Sequence, residues 1–491
     1  MTEPTADPTQ VTHEQIPLLQ NRAVNHTVHT GSVARLVPVI VLFSIQVAYF
    51  DYEQPYTDRS QWGIHEFYIP FYIKNIWYTP SVGGVGTGDL MTVLRVLFTL
   101  VSIGWWGRLG DVWGRKPVLL LVGLFLLVLD ACIICIDRYK WANAPILLAL
   151  SVLHGLFGGH ALLYGILHAY VADCTSLSSR FGKFSTLFAV AYVTAIMAIQ
   201  FGDFNTWGGQ IHPENSYPFV MNALIIAANL LWIATILPES LQTTGSQERR
   251  DIVSGFSAEF PYSFAASPPH RQSYLILGLS VFLYSLTLDF PYLKLAYEHL
   301  WQYRHFSDFA FFYAMYIFGV TAVALVYIYP GLNRLLKHIY GKELQSLLYI
   351  TRRLVQYSVS LDAFLALLVI AIPTTEPTRL VHLFFTSVSF LFTGVIPALF
   401  CLASLRATQV GHTSRLAVLF GTLAAIQEVG RTISMNFIQG ALYRSPSTGQ
   451  LKIMYIVMAA FLILTSMFLG LGKLQTDIAT EDGDDRRTDV V

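Results

Sequence analysis

Residues Trp105–Leu121 read WWGRLGDVWGRKPVLLL, and they set four charges, Arg108, Asp111, Arg115 and Lys116, between two strongly apolar runs. Three glycines, Gly107, Gly110 and Gly114, are spaced among the charges. A phosphate-binding loop needs G-x-x-x-x-G-K-[ST] after a strand. Here Gly114 is followed by Arg-Lys-Pro and both flanks are long apolar segments, so that reading is discarded. The physics points to a tight turn between two membrane helices. Glycines allow close backbone approach. Asp111 suits the positive N-terminal end of another helix. The planar fork of Arg115 can bridge two carboxylates, and Pro117 fits the first turn of the following helix. An ordinary basic loop that merely fixes topology accounts for the charges equally well.

Composition widens the frame. Of the 491 residues, 54% are hydrophobic and 13% charged, where soluble domains carry about 25% charged residues. The mean hydropathy is +0.50. These values predict an integral membrane protein. The net charge is zero, which argues against a nucleic-acid partner. "CIIC", Cys132 to Cys135, has C-x-x-C spacing but lies in an apolar run without His, Gly or Pro nearby, and reads as helix filler. The first thirty residues are polar and carry no signal-peptide pattern.

A membrane helix takes about 20 mostly apolar residues. That rule places twelve spans near 33–52, 89–106, 117–136, 145–171, 184–202, 217–237, 273–293, 308–330, 354–373, 379–403, 415–443 and 452–472. Alternating strand patterns are absent, which argues against a barrel. With the N-terminus inside, Lys and Arg number nineteen on inner segments and seven on outer loops, so both termini are expected in the cytoplasm. The longest polar insertion after the sixth span, 238–272, contains "GSQERRD" and "ASPPHRQ" and reads as a linker. The expected organisation is a tail (1–32), a six-helix half (33–237), the linker (238–272), a second six-helix half (273–472) and an acidic tail (473–491). Two such halves are a transporter-like arrangement. "PGLNRLLKHIYGKEL" follows the eighth span as the opening stretch follows the second, without its acid.

"GRLGDVWGRKPVLL" resembles the signature between the second and third helices of the major facilitator superfamily, with Gly107, Leu109, Asp111, Gly114, Arg115 and Lys116 at matching positions. "ILPESL" after the sixth span also fits the resemblance. "YVADCTSLSSR" (170–180) and "QEVGRTI" (427–433) resemble fungal members near the proton-coupled folate carriers. The resemblance implies an all-α fold of twelve transmembrane helices in two pseudo-symmetric six-helix bundles. It implies that the motif aspartate meets the cytoplasmic N-terminus of the eleventh helix, here "GHTSRLAV" with Ser414 as an N-cap. It implies too that the motif arginine pairs with an acid ending the fourth helix, here Asp173. The expected inner gate is therefore Gly107, Asp111, Gly114, Arg115, Lys116, Asp173 and Ser414.

Ionisable groups inside spans are functional candidates. By the resemblance, the first, fourth, seventh and tenth helices line the cavity, which favours His154, His160, His168, Asp289 and His382, with Gln46 and Tyr164 as solute contacts. At about 100° per residue, His154 and His168 lie on one side of the fourth span and His160 points elsewhere. Histidine titrates near neutral pH and suits proton coupling; packing histidines bonded to carbonyls are the alternative. No carboxylate or cysteine accompanies them at ligand spacing, so no metal site is expected. "HGLFG" places His154 where many proton-driven members carry arginine, and the fifth span lacks the Gly-Pro-rich antiporter signature. Glu428 and Arg431, at i, i+3, are expected to pair. Asp130 and Asp362 are expected to bond neighbouring helices, and Arg95 to pair with an acid of the first half.

The functional expectation is a secondary active transporter of a small organic solute, proton-coupled and monomeric, without cofactor. A non-transporting sensor of the same fold is the alternative; an enzyme would need clustered catalytic groups, and none are seen. "EQIPLL" (14–19) fits an acidic dileucine sorting signal, which favours a vacuolar or endosomal membrane over the plasma membrane.

Overall fold

A computed structural model of the chain describes residues 30–52, 87–139, 144–207, 217–241, 268–287, 319–372, 381, 384–385, 388–434 and 448–485. The described residues are helical, with no strand among them. In the first half they form α1 (Thr30–Tyr52), α2 (Thr87–Trp113), α3 (Arg115–Arg138), α4 (Ala144–Leu156), α5 (Gly159–Asp173), α6 (Leu177–Trp207) and α7 (Tyr217–Thr235). In the second half they form α8 (Pro268–Ser285), α9 (Tyr329–Tyr340), α10 (Leu344–Ala371), α11 (Val395–Val410), α12 (Leu416–Ile433) and α13 (Thr448–Asp485). Eight helical stretches among these residues are long and apolar enough to cross a membrane. Val101 and Leu97 on α2, and Leu124 and Val128 on α3, are at least half exposed. Large apolar side chains held outward along a helix suit a hydrocarbon surround.

Within the first half, α1 packs on α6 and α7, α2 on α4, and α3 on α7; within the second, α10 packs on α11 and α13, and α8 on α12 and α13. The halves meet where α12 lies against α2 and α5, and where α6 lies against α11 and α9.

Two local departures from regular helix have clear causes. A π-turn at Ala324–Ile328 precedes Pro330 in α9; proline removes a helical donor, and a local change of hydrogen-bond pattern re-satisfies the freed groups. The fourth span breaks between α4 and α5, where Gly158 (φ 85°) and Gly159 (φ 52°) take left-handed backbone that other residues rarely adopt. The break frees carbonyls that no water can serve in a bilayer. Side chains of α2 serve them: Ser102 Oγ donates to Gly155 O at 2.8 Å and Trp106 Nε1 to Leu156 O at 2.8 Å. Gly155 brings the helices close enough, since a Cβ there would stand 2.3 Å from Arg95 O.

Candidate functional site

The charges of the opening stretch gather at one end of the bundle. Arg115 is fully buried, donating through Nε to Asp173 Oδ2 at 3.0 Å and through Nη1 to Asp111 Oδ1 at 2.5 Å. Asp111 also accepts the backbone N–H of Ala417 at 2.9 Å and of Val418 at 3.1 Å. Those N–H groups belong to the first turn of α12, which has no helical partner for them and carries partial positive charge. A carboxylate of the first half thus caps a helix of the second. The Ser414 expectation needs correcting. Ser414 lies in a 3₁₀ turn, Thr413–Arg415, and the N-cap of α12 is Arg415, which supplies no side-chain cap bond to the helix. Asp111 occupies that role from outside.

A second carboxylate, Glu239 in "ILPESL", caps α3 in the same manner. It accepts from Arg115 N at 2.9 Å and Lys116 N at 3.0 Å. Lys116 Nζ donates to Ala234 O at 2.9 Å, near the C-terminal end of α7. Gly114, at φ 114°, leaves the room for this: a Cβ there would lie 2.4 Å from Glu239 Oε2.

Glycines also set how closely the halves meet. A Cβ on Gly107 would come within 2.6 Å of Val418 Cα, and one on Gly165 within 2.5 Å of Gly421 Cα. A second clasp joins α6 to the other half. Arg180 Nη1 donates to Ser404 Oγ at 2.8 Å, and Lys337 Nζ donates to Ser178 O. Lys337 lies in "PGLNRLLKHIYGKEL", the acid-free counterpart of the opening stretch.

Deeper in the seam, Arg95 Nη2 meets Glu428 Oε1 at 3.2 Å. Arg95 on α2 thus reaches an acid of the second half, Glu428 on α12, a pairing that sequence reasoning did not single out. No pattern within one helix encodes such a pair.

The histidine geometry also differs from expectation. His154 and His160 are buried with ring centroids 5.0 Å apart. The continuous-helix projection separated them; the Gly158–Gly159 break re-phases α5 against α4 and brings them together. His168 stands apart, its Nδ1 donating to Tyr164 O at 2.7 Å. Its ring lies among Phe184, Phe400 and Phe420, with centroids at 5.2, 4.5 and 5.9 Å. Asp130 accepts from Asn222 Nδ2 at 2.7 Å, and Asp362 from Ser389 Oγ, so both carboxylates bond neighbouring segments. Asp289 and His382, like the 14–19 stretch, lie outside the described residues, and Gln46 is described only as part of α1. Among the described residues, no three His, Cys, Asp or Glu side chains converge as a metal site.

Known proteins resemble this chain in sequence and in fold. An uncharacterized membrane protein of Schizosaccharomyces pombe is 28% identical over 165 residues, 34% of this chain. The chain spans about a quarter of that relative's length. The human organic anion transporter MFSD10 (TETRAN) superposes with a TM-score of 0.59 at 16% identity, over 89% of this chain and 98% of that one. A bacterial homologue of the iron transporter ferroportin, in an outward-facing state, gives 0.61 at 13% identity over the same shares, 89% and 98%. FucP, a Major Facilitator Superfamily transporter in the outward conformation, gives 0.59 at 12% identity, again over 89% and 98%. At such identities the likeness is one of fold. The family model for the Major Facilitator Superfamily matches residues 61–427, well over half of the chain. This is a multi-pass membrane protein of a transporter family rather than an enzyme, and the chain belongs to the Major Facilitator Superfamily.

Proposed function

We propose that the protein is a secondary active transporter that moves a small organic solute by alternating access, coupled to protons. The observation that carries this reading is Asp111 seated on the N-terminus of α12. A bond from one half to the other at one end of a membrane bundle is what a gate requires. In this reading twelve spans form two six-helix bundles, 33–237 and 273–472, joined by the linker 238–272; described helix falls in each of the twelve stretches. The excess of Lys and Arg puts the clasped end and both termini, 1–32 and 473–491, in the cytoplasm. The described arrangement is then the state closed to the inside.

His154, His160 and His168 set three imidazoles, side chains able to carry a proton, along one span, which supports proton coupling. Asp289, His382, Gln46 and Tyr164 complete the proposed pathway, and Arg95–Glu428, with Arg431 beside it, is the ion pair that changes partners between states. The placement near the folate-carrier branch rests on "YVADCTSLSSR" and "QEVGRTI". The chain works as a monomer in a vacuolar, endosomal or plasma membrane.

The test is uptake of a broad solute panel by vesicles containing the purified chain, with and without an imposed pH gradient. Flux that the gradient accelerates is expected. Gradient-independent flux refutes the coupling, and no flux of any solute refutes transport in favour of the sensor.

A further inference from the structure

His168 is a candidate histidine held directly between the halves. It projects from α5, and its ring is enclosed by Phe184 of α6, Phe400 of α11 and Phe420 of α12. It is 3% exposed. Its protonation state follows from its bonds. A carbonyl oxygen only accepts, so the 2.7 Å contact with Tyr164 O puts the proton on Nδ1. Nε2 then carries a lone pair in a neutral ring. Nε2 has no hydrogen-bond partner among the described residues. A second proton would create a buried cation whose N–H faces aromatic carbon, and burying an unpaired charge is strongly unfavourable.

The charged groups on the surrounding elements do not relieve this. On α6 the nearest in sequence to Phe184 are Lys183 and Arg180, both cations, and Arg180 is bonded to Ala172 O and Ser404 Oγ. On α11 the buried titratable neighbour is the Cys401 thiol, next to Phe400. On α12 no titratable residue occurs between Leu416 and Glu428, and Glu428 is engaged with Arg95. On α2, Asp111 is taken by Arg115 and α12. On α3, Asp130 is taken by Asn222. On α1 the only charged residue with a described side chain is the cation Arg35. On α5 itself, Asp173 is held by Arg115.

We propose that His168 is a proton-operated stop on the inner gate: the closed halves accept only its neutral ring, so opening the clasped end takes up one proton and acid on that side holds the gate open. This rests on the alternating-access reading above and names the regulation of that same gate. The sign follows from linkage. The closed state binds no second proton. The open state exposes the ring to water, where imidazole takes a proton below about pH 6.5. The open-to-closed ratio should therefore be flat above about pH 6.5 and rise about tenfold for each pH unit below it.

The experiment is electron–electron distance measurement on the full chain in lipid nanodiscs. Spin labels replace Ser176 and Thr413, one in each half at the clasped end, with the four native cysteines changed to alanine. The wild-type histidine should give a long-distance population that grows on acidification with the slope just stated. In His168→Gln the ratio should be flat from pH 5 to 8. His168→Phe, which keeps the aromatic packing, should be flat and more closed, and provides the second reading if the Gln chain is unstable. A wild-type ratio that ignores pH, a slope that closes the gate in acid, or a slope retained in the His168 variants overturns the inference. Solute flux by a chain whose gate ignores His168 refutes this inference and leaves the transport reading standing. A His168-dependent slope without flux refutes transport and leaves the stop.

Discussion

Asp111→Asn isolates the clasp, because its bonds divide by which of them survive opening. Asp111 accepts three donors: Arg115 Nη1, Ala417 N and Val418 N. The Arg115 bond lies within the first half and persists when the halves part. Only the two backbone bonds to α12 are broken by opening. A hydrogen bond to a charged group contributes about 1.5–3 kcal/mol, so two at the lower figure hold the gate by about 3 kcal/mol. Asparagine keeps one acceptor oxygen, worth about 1 kcal/mol as a neutral bond. The loss is then about 2 kcal/mol, or about thirtyfold in the open population. The chain carries its own reporters. Cys401 is 1% exposed, on α11 beside the Arg180 clasp, whereas Cys135 is exposed on α3. When opening is fast relative to reaction, a buried thiol is alkylated in proportion to the open fraction. Peptide mass spectrometry after timed maleimide treatment should show Cys401 modified about thirtyfold faster in Asp111→Asn, with Cys135 unchanged. A Cys401 rate within about twofold of wild type refutes the reasoning, because it would mean the backbone bonds do not hold the gate.

Other outcomes follow from the same geometry. Gly165→Ala and Gly107→Ala drive a methyl into backbone of α12, should weaken the closed state by about 1–3 kcal/mol, and should raise the Cys401 rate; Gly319→Ala, with nothing within 4 Å of its Cβ, should leave that rate unchanged. Arg95→Gln or Glu428→Gln breaks the buried ion pair and should lower thermal stability by about 3 kcal/mol, while the double variant recovers much of that loss; additive melting shifts would show the pair is not coupled. Gly114→Ala meets both a positive φ and the Glu239 carboxylate, so a loss of about 1–3 kcal/mol is expected in a melt, with no further loss when Glu239→Gln is added.

What the sequence discloses here depends on how far apart the interacting groups are. Asp111 and Arg115, four residues apart across the turn between two spans, are readable from the motif, and Asp173 from the place that the family resemblance gives an acid at the end of the fourth span. The N-cap of α12 was misassigned because a local serine is the ordinary solution and the actual acceptor comes from 306 residues away. Glu239 stood in the quoted "ILPESL" without a role; an acid just after Pro at a span end was the available signal. The pairing of His154 with His160 was hidden by treating 145–171 as one helix. The signal was the Gly-Gly dipeptide of "FGGH", a breaker, whose effect on phase no periodicity analysis recovers once a continuous helix is assumed. Arg95–Glu428 has no local signal, since the two residues lie in spans far apart in sequence and the local spacing of Glu428 points to Arg431.

The contacts of α2 with α12 run in antiparallel order: Asp111 with Ala417, Ile103 with Gly421, Arg95 with Glu428. Asp111 and Arg95 are sixteen residues apart on one rod, about 24 Å at 1.5 Å per residue. The seam is therefore a lever with its latch at one end and an ionic fulcrum towards the other. If the fulcrum holds while the latch releases, a swing of about 15–20° parts the clasped ends by about 6–8 Å, enough to admit a small organic molecule. A longer lever would clear the same passage with less rotation and a shorter one with more, so under the proposed alternating access the separation between Arg95 and Asp111 sets how much angular motion one turnover demands of the two halves.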